Sequence, residues 1–144
     1  HRRPDGDTIG SAGALCLGLR QLGKTAFVLT NEQFTPRFDP FLDGLVCEAL
    51  PAGATVISAD IASEGLLSFD AVRMGLTPVC AVDHHGSNSL ACPKLVEADK
   101  AACGEIIHAI LLELSNYTYD SDAYKKRVRD RQGWGELTKD SDDE

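Results

Sequence analysis

Three short segments of this chain carry side chains that could bind metal ions and do hydrolytic chemistry: His1-Arg2-Arg3-Pro4-Asp5-Gly6-Asp7, Ile57-Ser58-Ala59-Asp60 and Val82-Asp83-His84-His85. Carboxylate oxygens hold hard divalent cations, and imidazole nitrogens shift the preference toward Mn²⁺ or Zn²⁺ over Mg²⁺ or Ca²⁺. Two such ions about 3.5–4 Å apart share a water, lower its pKa and clamp both the attacking and the leaving oxygen. Pro4 forces Arg3 toward an extended conformation, and Gly6 lets the backbone turn between Asp5 and Asp7. Both carboxylates can then leave one loop, with His1 close by. Asp60 can bridge two ions from one strand end, and His84 can complete one of them from the next. Each segment alone has an ordinary reading. Aspartates ahead of a helix usually cap it, an aspartate at a strand end is usually solvated, and a lone Asp-His-His is weak as a motif. Of the four histidines, three fall inside these segments, while His108 sits mid-helix between apolar residues and is read as structural.

The elements between these segments determine whether they can meet. Ile9, Ala12, Leu15, Leu19 and Leu22 recur at helical spacing from Thr8 to Leu22, and Gly23 is a plausible stop. Residues 25–30, 54–60 and 78–83 are short apolar runs that predict strands. A short helix is expected from Phe38 to Leu45, another from a Ser63 cap to about Met74, and a long one from Asp99 to about Leu114. Strands alternating with helices imply an α/β domain with one mostly parallel sheet. In such sheets the functional crevice lies beyond the carboxyl ends of the strands. Asp60 and Asp83-His84-His85 occupy two such ends, and the first segment opens a helix, so topology places all three on one rim.

A chain of 144 residues, 43% hydrophobic and 25% charged, is one ordinary globular domain with room for a core. A net charge of −8 argues against a bulk electrostatic grip on long nucleic acid. A small anionic substrate remains compatible with it, because bound divalent cations reverse the local sign. No apolar run reaches membrane-spanning length, and no signal peptide is visible. The five cysteines are scattered and lack any CxxC pair, which disfavours a disulfide framework or a cysteine zinc site and predicts a reducing cytoplasm. After Asn116 the texture changes to a basic stretch, Lys125 to Arg131, and an acidic one, Glu136 to Glu144, so residues 116–144 read as a divergent, flexible charged tail.

The motifs resemble those of one family. Residues 1–11, HRRPDGDTIGS, resemble the first motif of the DHH phosphoesterases, His-x-x-Pro-Asp-x-Asp-x-x-Gly-Ser. Ile57 to Asp60 resembles the second motif, and Val82-Asp83-His84-His85-Gly86-Ser87-Asn88 the DHH signature with its following asparagine. Residues 95–114 are similar to the helix region after that signature. The resemblance covers roughly residues 1–115, and the motifs keep their family order. It implies a three-layer α/β sandwich with a mostly parallel sheet and an enzyme, a phosphoric ester hydrolase. It also implies roles: His1 and Asp5 on one metal, Asp7 on the other, Asp60 bridging, and His84 on the second metal. Asp83 is the buried group that orients the site. His85 faces the substrate phosphate to donate a hydrogen bond or proton, and Ser11 and Asn88 support the loops, with Asn88 also in the substrate-binding set. The implied cofactor is Mn²⁺, two per site, with Mg²⁺ as the alternative.

The Pro-Asp-Gly-Asp form and the Gly-Ser pair most resemble the small oligoribonucleases and 3′-phosphoadenosine-5′-phosphate phosphatases. The implied reaction is hydrolysis of short oligonucleotides or nucleoside phosphates by a two-metal-activated water. Related branches cleave cyclic di-AMP, pyrophosphate or single-stranded DNA. A cyclic dinucleotide phosphodiesterase is therefore the alternative, and a catalytically impaired or nucleotide-binding module a further one. The implied partner is a short RNA oligonucleotide or a nucleotide, without a membrane. A homodimer is compatible, and substrate, polarity and oligomeric state stay open. The family pattern also has a strand before the first histidine, a fourth aspartate motif and a smaller second domain with a glycine-rich motif. After Asn116 no matching context is found, and Asp120 and Asp122 are candidates for that aspartate by type alone. The expectation is a catalytic domain over residues 1–115, incomplete at both ends.

Overall fold

The computed structural model describes residues 1–119. The regular elements run α1 (Gly6–Gln21), β1 (Val28–Leu29), α2 (Asp39–Leu42), β2 (Val46–Cys47), β3 (Ile57–Ala59), α3 (Phe69–Arg73), β4 (Cys80–Asp83), β5 (Lys94–Val96) and α4 (Cys103–Tyr119), with 3₁₀ turns at Pro36–Phe38 and Glu64–Leu66. The fold is α/β, and every strand pair among the described residues is parallel, consistent with a DHH phosphoesterase domain. The expected single sheet is instead divided in two, β1-β2 and β3-β4-β5. A largely apolar cavity of about 190 Å³ lies between β1 and β3, with Val28, Leu29, Ile57 and Ala59 in its wall and His1 and Thr8 at its margin.

Two apolar cores carry the layers. Ile9 and Cys16 of α1 pack with Val28, Phe38, Leu42 and Leu45. Cys103, Ile106 and Ile107 of α4 pack with Ala59 and Val82, and Leu15 of α1 leans on them. Ile106 and Ile107 are essentially fully buried, each worth about 1.5–3 kcal/mol over an exposed side chain. Helices α1 and α4 approach closely at Gly18, where any β-carbon would overlap the Leu111 side chain.

Several boundaries differ from the sequence reading, each for a physical reason. The helix expected from Ser63 divides, because Leu67 turns extended after the 3₁₀ turn and Ser68 becomes the cap, its Oγ accepting from Ala71 N at 3.1 Å. The long helix starts at Cys103 rather than Asp99. Its first amides are capped from across the fold by Asp7. It continues to Tyr119, past the boundary at residue 115, and the rest of the charged tail, with Asp120 and Asp122, lies outside the described residues. Gly23 follows α1 with φ +80°, as a helix stop requires. The five cysteines are free, and no helix among the described residues is long and apolar enough to cross a membrane.

The segment before α1 has its own supports. Arg2 N donates to Leu66 O at 2.7 Å, and the Arg2 guanidinium lies 4.4 Å from the Phe69 ring centre. The Asn31 amide donates to His1 O at 2.7 Å. Beside Asn31, Glu32 N donates to Asp70 Oδ2 at 2.8 Å, and Arg73 bridges Asp70 and Glu32. The Glu32 backbone N–H, with Arg73, holds the Asp70 carboxyl below its ordinary value. A carboxyl lowered on folding stabilises fully above its unfolded pKa of about 3.9, and that contribution fades as pH falls through the folded value. Asp70→Asn is therefore expected to lose less stability than the parent as pH falls from about 5 to 2, the range over which first the unfolded and then the folded carboxylate takes up its proton. Urea midpoints measured across that range check this, and parallel pH curves would contradict it.

Candidate metal centre

The first turn of α1 presents two aspartates in different ways. Asp5 is the N-cap: its Oδ1 accepts from Asp7 N and Thr8 N, both at 3.0 Å, which satisfies amides that a helix start leaves unpaired. Chiefly through the Thr8 amide, its carboxyl is held below the usual range. These bonds all fall on Oδ1, so capping and metal ligation do not compete for Oδ2. Asp7 points across to α4. Its Oδ2 accepts from Cys103 N at 2.8 Å, and its Oδ1 from Gly104 N at 3.0 Å and Ser11 Oγ at 3.1 Å. The carboxylate thus sits on the positive end of α4, where anions are favoured. Behind it Cys103 is fully buried, and burial pushes its thiol up to about 11, so it stays neutral.

Asp60 follows β3 with φ +61°, a left-handed conformation that aspartate tolerates better than most residues. The turn aims its buried carboxylate at the rim. Oδ2 accepts from Thr8 Oγ1 at 2.8 Å, whereas Oδ1 is buried with no hydrogen-bond partner. Burial, with the nearby Asp7 and Asp5 charges, raises its pKa despite the Thr8 bond.

Strand β4 ends in Asp83, whose side chain is wholly buried. Oδ1 accepts from His84 N at 2.8 Å, His85 N at 3.2 Å and the His85 Nδ1–H at 2.7 Å, and Oδ2 from the Asn88 amide at 2.7 Å. Burial alone would raise its pKa, but the Asn88 and His85 hydrogen bonds outweigh that and hold it below the ordinary value. The bond to Asp83 raises the His85 pKa in return. Asn88 also donates to Ile61 O at 3.0 Å and accepts from Leu90 N at 3.0 Å. Its amide hydrogens are thus spent inside the protein, bracing the loop.

His84 makes the centre chemically specific. Its Nδ1 lies 3.1 Å from Lys100 O. A carbonyl only accepts, so this contact assigns a proton to Nδ1, and in that tautomer Nε2 is the nitrogen left with a lone pair. That nitrogen lies 3.5 Å from both Asp7 Oδ2 and Asp60 Oδ1. An imidazole oriented by a backbone carbonyl is the usual arrangement of a metal-binding histidine. Asp60, His84 and His85 each bring a potential ligand atom within 4.8 Å of the others. Because His85 Nδ1 is committed to Asp83, the electron-rich convergence is Asp7, Asp60 and His84. Carboxylates and an imidazole lone pair facing one another, with one oxygen buried and unpartnered, are the donor set of a divalent cation.

His1 stands apart from this convergence. It is half-buried at the margin of the cavity between β1 and β3, and its Nδ1 accepts from Arg3 N at 3.0 Å. Its imidazole forms no ion pair with a carboxylate among the described residues. His108 is exposed on α4.

The chain is 32% identical over 116 residues, 77% of its length, to the bifunctional oligoribonuclease and PAP phosphatase NrnA of Thermus thermophilus. This similarity supports the DHH-family resemblance of the motifs. The chain spans about a third of that relative's length (34%). No family model matches it.

Two contributors to the site escape a sequence reading. Lys100 acts through its carbonyl, and a backbone acceptor leaves no sequence signal. Thr8 lies three residues after the N-cap, a position whose side chain helices do not strongly restrict, so its link to Asp60, 52 residues away, is visible only in the fold.

Proposed function

We propose that this chain is the catalytic α/β domain of a DHH-type phosphoesterase that hydrolyses short oligoribonucleotides or nucleoside phosphates such as 3′-phosphoadenosine-5′-phosphate, with Mn²⁺ as cofactor. The convergence of His84 Nε2 with the Asp7 and Asp60 carboxylates, each at 3.5 Å, carries this reading. The similarity to an oligoribonuclease and PAP phosphatase supports the substrate class. Asp7, Asp60 and His84 would hold the cations, with Asp5 Oδ2 and His1 as the outer donors. When bound, the cations neutralise phosphate charge and lower the pKa of a water at the site.

The chain's own side chains do the rest. Asp83 fixes the His85 ring through Nδ1, leaving Nε2 as the open position of a half-exposed imidazole. The raised pKa of that ring favours the protonated form, so His85 can donate a hydrogen bond to a phosphate oxygen or a proton to the leaving oxygen. Asn88 keeps Asp83 in place. The free thiols suit a reducing cytoplasm.

Incubation of the chain with a short oligoribonucleotide and with 3′-phosphoadenosine-5′-phosphate tests this reading. With Mn²⁺, mononucleotide or phosphate release is expected, and a chelator should abolish it. No release from either substrate in Mn²⁺ would contradict the proposal.

A further inference from the structure

We infer that Thr8 is a positioning residue of the metal centre, whose hydroxyl fixes the Asp60 carboxylate so that Oδ1 alone faces the imidazoles. This rests on the metal-dependent reading above and adds a determinant that the motif roles do not contain. Thr8 is buried, at 6% exposure, and so is Asp60, at 5%. A hydroxyl has one hydrogen to give. The Thr8 Oγ1 has Asp60 Oδ2 at 2.8 Å and Asp5 Oδ1 at 3.3 Å, and the shorter contact takes the proton. Asp5 Oδ1 already has the Thr8 and Asp7 amides. One residue therefore ties the first motif to the second, through its backbone N–H to Asp5 and through its hydroxyl to Asp60.

The consequence is orientation. With Oδ2 held by Thr8, Asp60 Oδ1 lies 3.5 Å from His84 Nε2 and 3.7 Å from His85 Nδ1. A carboxylate without that tether can turn about its terminal bond, whose rotation is broad and shallow. Thr8 supplies the hydrogen bond to Asp60 Oδ2, so losing its hydroxyl would leave that oxygen of a buried carboxylate without this donor. A hydrogen bond that orients a ligating carboxylate typically accounts for about 10–100-fold in metal affinity.

Mn²⁺ titration followed by electron paramagnetic resonance, with no substrate present, reads this directly. Thr8→Val, which swaps the hydroxyl for a methyl of similar size, and Thr8→Ala, which shortens the side chain, are both expected to weaken Mn²⁺ binding by about tenfold or more. Thr8→Ser is expected to stay within a few-fold of wild type. Circular dichroism shows which variants are folded, and either hydroxyl-free variant suffices. Wild-type-like Mn²⁺ affinity in a folded Thr8→Val or Thr8→Ala would overturn the inference, as would a Thr8→Ser as weak as Thr8→Val. If wild type itself takes up no Mn²⁺, the metal-dependent reading fails first and this inference with it.

Discussion

Replacing Asp83 with alanine is expected to destabilise the fold by about 3–5 kcal/mol, the scale of removing one partner from a buried charged network. The side chain is fully buried and accepts four hydrogen bonds. Its loss strands two backbone amides, one hydrogen of the Asn88 amide and the His85 ring N–H. Each stranded donor costs about 1–3 kcal/mol when water cannot reach it. Because those donors belong to His84, His85 and Asn88, the same change should disorganise the centre. Urea unfolding measures the first effect. A loss below about 1 kcal/mol would show that Asp83 is not the keystone of this loop. Asp83→Asn is a milder companion, since it keeps the shape but supplies a donor where an acceptor is needed.

Asp60→Asn is expected to do the opposite: remove activity without removing stability. The variant keeps a side chain suited to the left-handed backbone at φ +61°. It discards a carboxylate that burial and the Asp7 and Asp5 charges make costly to ionise. A carboxyl whose pKa is raised on folding opposes folding once ionised, so at neutral pH and in chelator the variant should melt at or above the parent's temperature. Mn²⁺-dependent phosphate ester hydrolysis should nonetheless fall by about two to three orders of magnitude, the loss typical of one preorganised charge-stabilising group. Such opposed effects mark residues kept for chemistry at the expense of stability. A variant that is both less stable and equally active would place Asp60 in a structural role.

The contrast between these two aspartates shows what sequence could and could not supply. Asp60 and Asp83-His84-His85 are legible because apolar runs end at them, and an α/β sheet turns such ends to a common rim. The helix opened by Asp5 and Asp7 is legible from its apolar spacing and its acidic, glycine-containing start. The division into two sheets is not, because β1 and β2 are two residues each, too short for any alternation to register. The start of α4 is not legible either. Its cap comes from Asp7, 96 residues earlier in the chain, whereas local patterns report only local caps. Ser63 and Ser68 offer the same cap chemistry, and the extended Leu67 between them decides in favour of Ser68. At the centre itself residue types alone carry the proposal of ligand chemistry. The tethers that aim it, the Thr8 hydroxyl and the Lys100 carbonyl, depend on tertiary placement.

Calorimetric titration of the chain with Mn²⁺, beside Asp60→Asn, shows whether Asp7, Asp60 and His84 hold divalent cations as proposed. Two bound Mn²⁺ per wild-type chain, with affinity at least about tenfold weaker in Asp60→Asn, is the result this arrangement predicts. Absence of Mn²⁺ uptake by the wild-type chain, or equal uptake by a folded Asp60→Asn, would contradict it.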